Sequence, residues 1–330
     1  MGKRNPWLSV HRWLGIGLGV WFALVGLTGS LLVYEDAIDA WLNPGLLTTS
    51  KRGDWLSLEA IVERAQSEHA LGRIEKIRLP QADGEVYRLT IRAAPGRRVG
   101  SERIEATFDP VDGALLGTRR VEALGLSAPH LMKTVYEFHR NVLLGEPGSN
   151  IVGIAGFLLL ASAVSGIVLA WPKRRAGWRR LVWINPRASA TRICFDAHRS
   201  LGVLFAALLL LSTLTGATLV YLNYVRDLVG LFSRVTPFPT VPWRGRGDAE
   251  PKGLGEIVAA VAEQYPGARI TEIHGPPRQT AGGYLVYLRR DGDEHRLGDT
   301  ILWVHPFTAE ILVERSDRTR SAGETFMHWL

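Results

Sequence analysis

The chain is poor in cysteine. Cys194 is the only one in 330 residues. That excludes an internal disulfide framework, and it excludes haem attached covalently through C-x-x-C-H. Nucleotide signatures are missing as well: no G-x-G-x-x-G opens a helix after a strand, and there is no P-loop. No Ser-His-Asp arrangement can be picked out. Charge is absent from three apolar stretches, 14–34, 151–171 and 201–221, which hold no Asp, Glu, Lys or Arg. Crossing a bilayer takes roughly 20 apolar residues. Three spanning helices are therefore expected. Lys3 and Arg4 precede the first run as they would in a signal peptide. The run is longer than an h-region, however, and no small-residue cleavage site follows, so a retained helix is expected.

The formal charge of +7 is not spread evenly. Residues 172–199 hold Lys173, Arg174, Arg175, Arg179, Arg180, Arg187, Arg192 and Arg199 against one acid, Asp196. Such a loop follows the positive-inside rule. It accounts for the charge by orientation, and no nucleic-acid partner is expected. The N-terminus and this loop are placed in the cytoplasm. Residues 35–150 and 222–330 are placed outside, in the periplasm of a Gram-negative cell, and the membrane is the inner one. Trp7, Trp13, Trp41, Trp171, Trp178 and Trp183 fall near the predicted membrane edges, where amphipathic rings settle.

The layout repeats. HRWLG at 11–15 returns as HRSLG at 198–202, and each histidine lies 23 residues before a tyrosine, Tyr34 or Tyr221. The external segments repeat too. LEAIVERAQS (58–67) reads as an amphipathic helix, followed by strands at 74–79, 87–93 and 103–116, the last with a turn at FDPVDG. LGEIVAAVAEQY (254–265) is followed by strands at 270–275, 284–290 and 300–314, with VHPFTA at the matching turn. Two copies of one unit are expected: a His-bearing span, a small α+β domain, then a further helix. By that repeat a fourth spanning helix is expected shortly after residue 330.

The boundaries follow. Residues 1–50 carry the first span and 51–125 the first external α+β domain. Residues 126–175 carry an edge helix and the second span, and 176–198 the basic loop. The third span occupies 199–240, the second α+β domain 241–318, and the start of a fourth helical segment 319–330. The fold class is an integral membrane α-helical bundle with two external α+β domains, internally duplicated.

Of the histidines, His69, His274, His295 and His305 sit in the external domains and read as surface or turn residues. His11 and His198 are expected at equal depth. Ionisable groups in a membrane tend to mark function. Two imidazoles on facing helices are able to hold one haem iron. The alternative is an interfacial His-Arg pair that anchors a helix end. The glycines of GIGLG (15–19) suit either a flat macrocycle or the close packing of another helix. His139 borders an apolar stripe of Leu131, Val135, Phe138 and Val142, and is a candidate ligand for a second, outer haem. Its partner is expected in the fourth helix or in His328. His130 lies half a turn from His139 and stands beside His328 as a further candidate. Arg88, Arg92, Arg97 and Arg98 suit either attraction of an acidic ligand or a solvated strand face.

HRWLGIGLGVWFALVGLTGSLLVYED, AHRSLGVLFAALLLLSTLTGATLVY, EFHRNVLLG and the two external units with FDPVDG and VHPFTA resemble the PepSY-associated transmembrane proteins. The resemblance covers nearly the whole chain, and it makes the external units PepSY-like modules. Within that family the chain is most similar to the FoxB-like inner-membrane ferric-siderophore reductases. This resemblance implies two b-type haems, with His11, His139 and His198 as axial ligands of haem iron and His328 as a fourth. It also implies an Fe(III)-siderophore substrate reduced in the periplasm, and an electron donor that is a quinol or a cytoplasmic flavoprotein. Two other functions fit the same sequence: a cofactor-free PepSY module that binds a peptide or protein, and a quinol-linked haem conduit to another periplasmic acceptor.

Overall fold

The computed structural model describes residues 6–68, 72–93, 103–172, 177–236, 252–275 and 282–330. Lys3, Arg4, His69, Arg97, Arg98, Lys173, Arg174 and Arg175 lie outside the described residues. The chain begins with α1 (Pro6–Leu32), α2 (Glu35–Leu42), α3 (Pro44–Leu47) and α4 (Leu58–Glu68). Strands β1 (Gly72–Arg78), β2 (Tyr87–Ala93), β3 (Arg103–Phe108) and β4 (Leu115–Arg120) come next. They are followed by α5 (Ala128–Asn141), α6 (Gly145–Ala170), α7 (Trp178–Val182), α8 (Ala190–Leu204), α9 (Ala206–Val220), α10 (Leu222–Gly230) and α11 (Leu254–Gln264). Strands β5 (Arg269–His274), β6 (Tyr284–Arg289), β7 (Thr300–Val304) and β8 (Ile311–Arg315) precede α12 (Ala322–Trp329). Two compact units result. A helical unit comprises Met1–Tyr34, Thr134–Phe232 and Phe326–Leu330, and a sheet unit comprises Glu35–Lys133 and Ser233–Thr325.

In the helical unit α1 and α6 are 27 and 26 residues long. At about 1.5 Å per residue each exceeds the roughly 30 Å hydrocarbon core of a bilayer. None of the residues of α1 is buried. Ile16, Val20 and Leu27 stand open on its surface, as suits a helix whose solvent is lipid. The six tryptophans placed at membrane edges are all exposed.

The third apolar run departs from expectation. It is not one straight helix: α8 and α9 are bent by 64° across Phe205. Among the described residues two helices are long and apolar enough to cross, and this bent pair makes a third span if it counts as one. The helix α6 meets α9 through small residues. A Cβ on Gly153 would lie 2.8 Å from the Tyr221 ring, and one on Gly156 would lie 3.4 Å from Ala217 Cβ. With no hydrophobic drive between helices in lipid, such close backbone approach supplies the packing.

The join between α5 and α6 also differs from expectation. Helix α5 ends at Asn141, so Val142 does not extend its stripe. Val142 and Leu143 instead take positive φ, 51° and 62°, a conformation that branched and bulky side chains rarely adopt. Helix α6 then starts at Gly145, well before residue 151. The reversal is tight: a Cβ on Gly148 would fall 1.7 Å from the Asn141 carbonyl oxygen.

The sheet unit follows the periodicity closely, because alternating apolar residues sort onto one face of a strand. All eight strands form one antiparallel sheet in the order β4-β3-β2-β1-β5-β6-β7-β8. Each half has a helix, α4 or α11, ahead of four strands. Ile61 and Ala65 of α4, and Ile257 and Val261 of α11, pack with Ile77, Leu89, Phe108, Ile273, Val286 and Leu302 into one core. The turns of the two halves are built alike. Asp109 Oδ1 accepts from the Val111 N–H, and His305 Nδ1 accepts from the Phe307 and Thr308 N–H groups. Gly113 and Ala309 take positive φ at matching places. His305 is thus a turn residue, as its sequence context suggests.

The halves join where β1 pairs with β5, with Ile77 opposite Ile273 in the core and Arg78 opposite Glu272 on the other face. Glu272 is 2% exposed. It accepts from Lys76 Nζ at 2.8 Å, Arg78 Nε at 3.1 Å and His274 Nε2 at 2.5 Å. His274 is therefore part of this seam and not a free surface residue. Burial alone would raise the Glu272 pKa. His274, Lys76 and Arg78 outweigh it and hold the carboxyl at about 2, against 4.5 when unperturbed. A carboxyl with a depressed folded pKa stabilises the fold above its unfolded pKa, and this stabilisation fades as pH falls from about 4.5 towards 2. The shift corresponds to about 3 kcal/mol. Glu272→Gln is expected to cost a similar amount at neutral pH, because it removes the buried negative charge that three half-buried donors share. Hydrogen exchange of β1 and β5 amides in the intact protein checks this: protection should fall in the variant and, for the native chain, below pH 4.5.

Candidate functional site

Two of the candidate histidines meet. His11 on α1 and His198 on α8 face each other with ring centroids 5.9 Å apart and planes inclined at 54°. Imidazoles bound on opposite sides of one metal, each at about 2 Å, hold their centroids about 6 Å apart. Two rings that are each perpendicular to a common plane take any angle to one another, so the inclination suits an intervening flat group. In HRWLG and HRSLG the glycine follows the histidine by four residues, and a helix puts such residues on one face. A Cβ added to Gly15 or Gly202 meets nothing within 4 Å. The same holds for Gly17 and Gly19, so no other helix packs against GIGLG among the described residues. Bare helix surface one turn on from each histidine leaves room for a macrocycle. The residues present fit a haem held between His11 and His198.

His11 is anchored from α6. Its Nδ1 lies 3.0 Å from the Ser162 carbonyl oxygen and 3.2 Å from Ser165 Oγ. The Gly166 Cα faces the ring, and a Cβ there would come within 3.0 Å of it. Asp196, 3% exposed near His198, pairs with Arg192 at 3.2 Å and Arg199 at 3.0 Å. The Arg of HRSLG therefore serves an ion pair on its own helix, and the His is left for the facing ring.

His139 docks elsewhere, on the far part of α1. Its Nδ1 lies 3.0 Å from the Val25 carbonyl oxygen and 3.2 Å from Thr28 Oγ1. A Cβ on Gly29 would come within 2.9 Å of its ring. Phe138 beside it packs on Trp21, centroids 6.3 Å apart. From His11 to Thr28 the helix rises about 25 Å, so the two histidine positions lie at opposite ends of α1. Among the described residues no second imidazole stands against His139. His130 belongs to the sheet unit. His328 belongs to the helical unit, where its ring meets that of Trp329 edge-on at 6.0 Å.

Sequence reasoning missed the residues that receive the histidines. Their signal is a hydroxyl residue followed by glycine: VGLTG at 25–29, SAVSG at 162–166 and STLTG at 212–216. In the third copy Thr215 Oγ1 donates to Leu211 O at 3.0 Å and to Ser212 O at 3.2 Å, the same turn that Thr28 makes. A Cβ on Gly216 meets nothing within 4 Å.

A second feature lies wholly in the sheet unit. The face of the sheet away from α4 and α11 borders a cleft of about 620 Å³. Charged side chains line it, and most are paired. Asp36 meets Arg78 at 3.3 Å and Arg88 at 3.4 Å, and Asp39 meets Arg119 at 2.8 Å. Glu105 takes Arg88 at 2.6 Å and Arg119 at 2.5 Å. Burial raises the Glu105 pKa, but the two guanidiniums outweigh it and lower it overall. Glu35, at the same cleft, is raised by burial and by Asp36 and Asp39. The strand arginines Arg88 and Arg92 are ion-paired, Arg92 with Glu75.

No curated protein matches this sequence. The family model of the PepSY-associated TM region matches residues 8–330. With two helices able to cross a bilayer and a separate antiparallel sheet unit, this membrane protein belongs to the PepSY-associated TM family.

Proposed function

We propose that the protein is a haem-b membrane reductase of the FoxB-like kind, which carries electrons across the inner membrane to an Fe(III)-siderophore. The observation that supports this most is the facing pair His11 and His198, with centroids 5.9 Å apart and an uncovered glycine four residues on from each. Haem bound there would supply a one-electron carrier whose potential its surroundings set. His11 and His198 would hold it near the cytoplasmic end. His139 serves a second haem nearer the periplasm. Oxidation of one quinol yields two electrons and two protons, enough for two ferric ions. Fe(II) prefers softer ligands than the hard oxygen donors of a siderophore, so reduction loosens the metal. The cleft of the sheet unit lies within the usual range of about 300–1,000 Å³ for ligand sites, and its paired charges suit a polar chelate. The basic loop at 172–199 supports an orientation with the N-terminus inside and the sheet unit in the periplasm.

A visible spectrum of the purified full-length protein, oxidised and then reduced, tests this reading. Reduced bands of six-coordinate b-type haem are expected, and a ferric hydroxamate chelate should then reoxidise them. Colour without reoxidation would leave a conduit to another acceptor. A colourless protein from haem-supplied cells would overturn the haem reading. The rival it leaves is a cofactor-free binding module, which the charged cleft favours.

A further inference from the structure

His11 and His139 are received in the same way, on different helices and at different depths. In each case Nδ1 lies 3.0 Å from a main-chain carbonyl oxygen, that of Ser162 or of Val25. Three residues on, a hydroxyl oxygen stands 3.2 Å from the same nitrogen, on Ser165 or Thr28. The next residue is a glycine whose absent Cβ lets the ring approach, Gly166 or Gly29.

The chemistry of the acceptors decides the proton. A carbonyl oxygen only accepts, so a hydrogen bond to it requires the proton on Nδ1. The hydroxyl protons are already committed. Ser165 Oγ donates to Ser162 O at 2.8 Å, and Thr28 Oγ1 donates to Leu24 O at 2.9 Å and Val25 O at 3.0 Å. Each hydroxyl oxygen therefore turns a lone pair towards Nδ1, and its demand agrees with that of the carbonyl. A neutral imidazole protonated on Nδ1 keeps its lone pair on Nε2. An acceptor on the far nitrogen also fixes ring orientation and raises ligand basicity.

We propose that Ser165 and Thr28 are positioning residues: each completes a carbonyl–hydroxyl–glycine seat that holds His11 or His139 in the Nδ1–H form, with Nε2 presented to a metal. The purpose assigned to the seats rests on the haem reading, whereas the tautomer does not.

The test uses the full-length protein in lipid nanodiscs with ¹⁵N-labelled histidine. In the haem-free protein, the nitrogen shifts of His11 and His139 should report Nδ1–H. Haem titration and redox titration then follow for Ser165→Ala, Thr28→Val and the conservative Ser165→Thr and Thr28→Ser. Each removal of a hydroxyl should weaken haem binding at its own site by about 10–100-fold. It should also raise the reduction potential of that site alone, because a less basic ligand stabilises Fe(III) less. The conservative variants should stay near the native values. An Nε2–H tautomer in the native protein would overturn the proposal, and so would unchanged affinity and potential in Ser165→Ala and Thr28→Val. A native protein that takes up no haem defeats the haem reading alone, and the tautomer measurement still decides whether the seats exist.

Discussion

His11→Ala and His198→Ala are each expected to remove one haem from the protein, with at least about a 100-fold loss of affinity at that site. Loss of a residue that merely supports a ligand already costs about 10–100-fold, and these variants delete the ligand. The two rings face one another, so either deletion leaves a single imidazole where two are needed. The two variants should therefore resemble each other and resemble the double variant. Haem quantified per chain, with the reduced spectrum, is the measurement. The outer site should be spared, because His139 is received by residues 25–29 and makes no contact with the His11–His198 pair. On the proposed reading, siderophore reduction with the natural donor should fall in parallel, as the relay would lose its inner member. If both variants keep their full haem content, the pair is only an anchor for helix ends.

Gly148→Ala is expected to be the most damaging single methyl group in the helical unit. Its Cβ would lie 1.7 Å from the Asn141 carbonyl oxygen and 2.9 Å from Leu144 Cβ. The first contact is with main chain and cannot be relieved by turning a side chain. The segment that would have to move already holds Val142 and Leu143 at positive φ, and strained backbone persists only where its surroundings hold it. Destabilisation above about 4 kcal/mol is expected, a size reserved for a few mechanisms of which forced backbone displacement is one. The readable consequence is local. His139 lies two residues before Asn141, so its docking on Val25 and Thr28 should be lost while the His11–His198 site persists. Thermal unfolding and haem content per chain distinguish this from general collapse. A Gly148→Ala protein with native haem content at both sites would show that α5 is placed by other contacts.

Much of the sheet unit is legible in the sequence. Residues 87–93 and 284–290 read as strands because alternate residues are apolar, and β2 and β6 form there. Residues 58–67 and 254–265 read as helices because their apolar residues recur every three to four positions, and α4 and α11 form there. The turns at FDPVDG and VHPFTA carry their own capping groups in Asp109 and His305. All of these signals act over a few residues, so they survive without knowledge of the partner. The pairing of β1 with β5 does not. It depends on a buried Glu272 that gathers Lys76, Arg78 and His274 from two strands about 200 residues apart in the chain, and no local pattern encodes that.

The membrane half divides in the same way. Hydrophobic length alone marks α1 and α6 as candidate spans, because a bilayer core has a set thickness, and the recurrence of H-R-x-L-G marks His11 and His198 as a pair. The bend at Phe205, the reversal at Gly148 and the true start of α6 were not legible. Each is set by what a helix packs against and not by its own composition. The receiving residues Val25, Thr28, Ser162 and Ser165 were hidden for a related reason. In a linear reading a Ser-Gly or Thr-Gly pair in an apolar run is only a small-residue step. The sequence by itself determined which segments are apolar enough for a membrane, which fold as strands and which histidines recur. Only the tertiary structure decided which ring meets which acceptor, because a hydrogen bond to Nδ1 depends on two helices coming within about 3 Å, and proximity across a fold is a property of the whole chain.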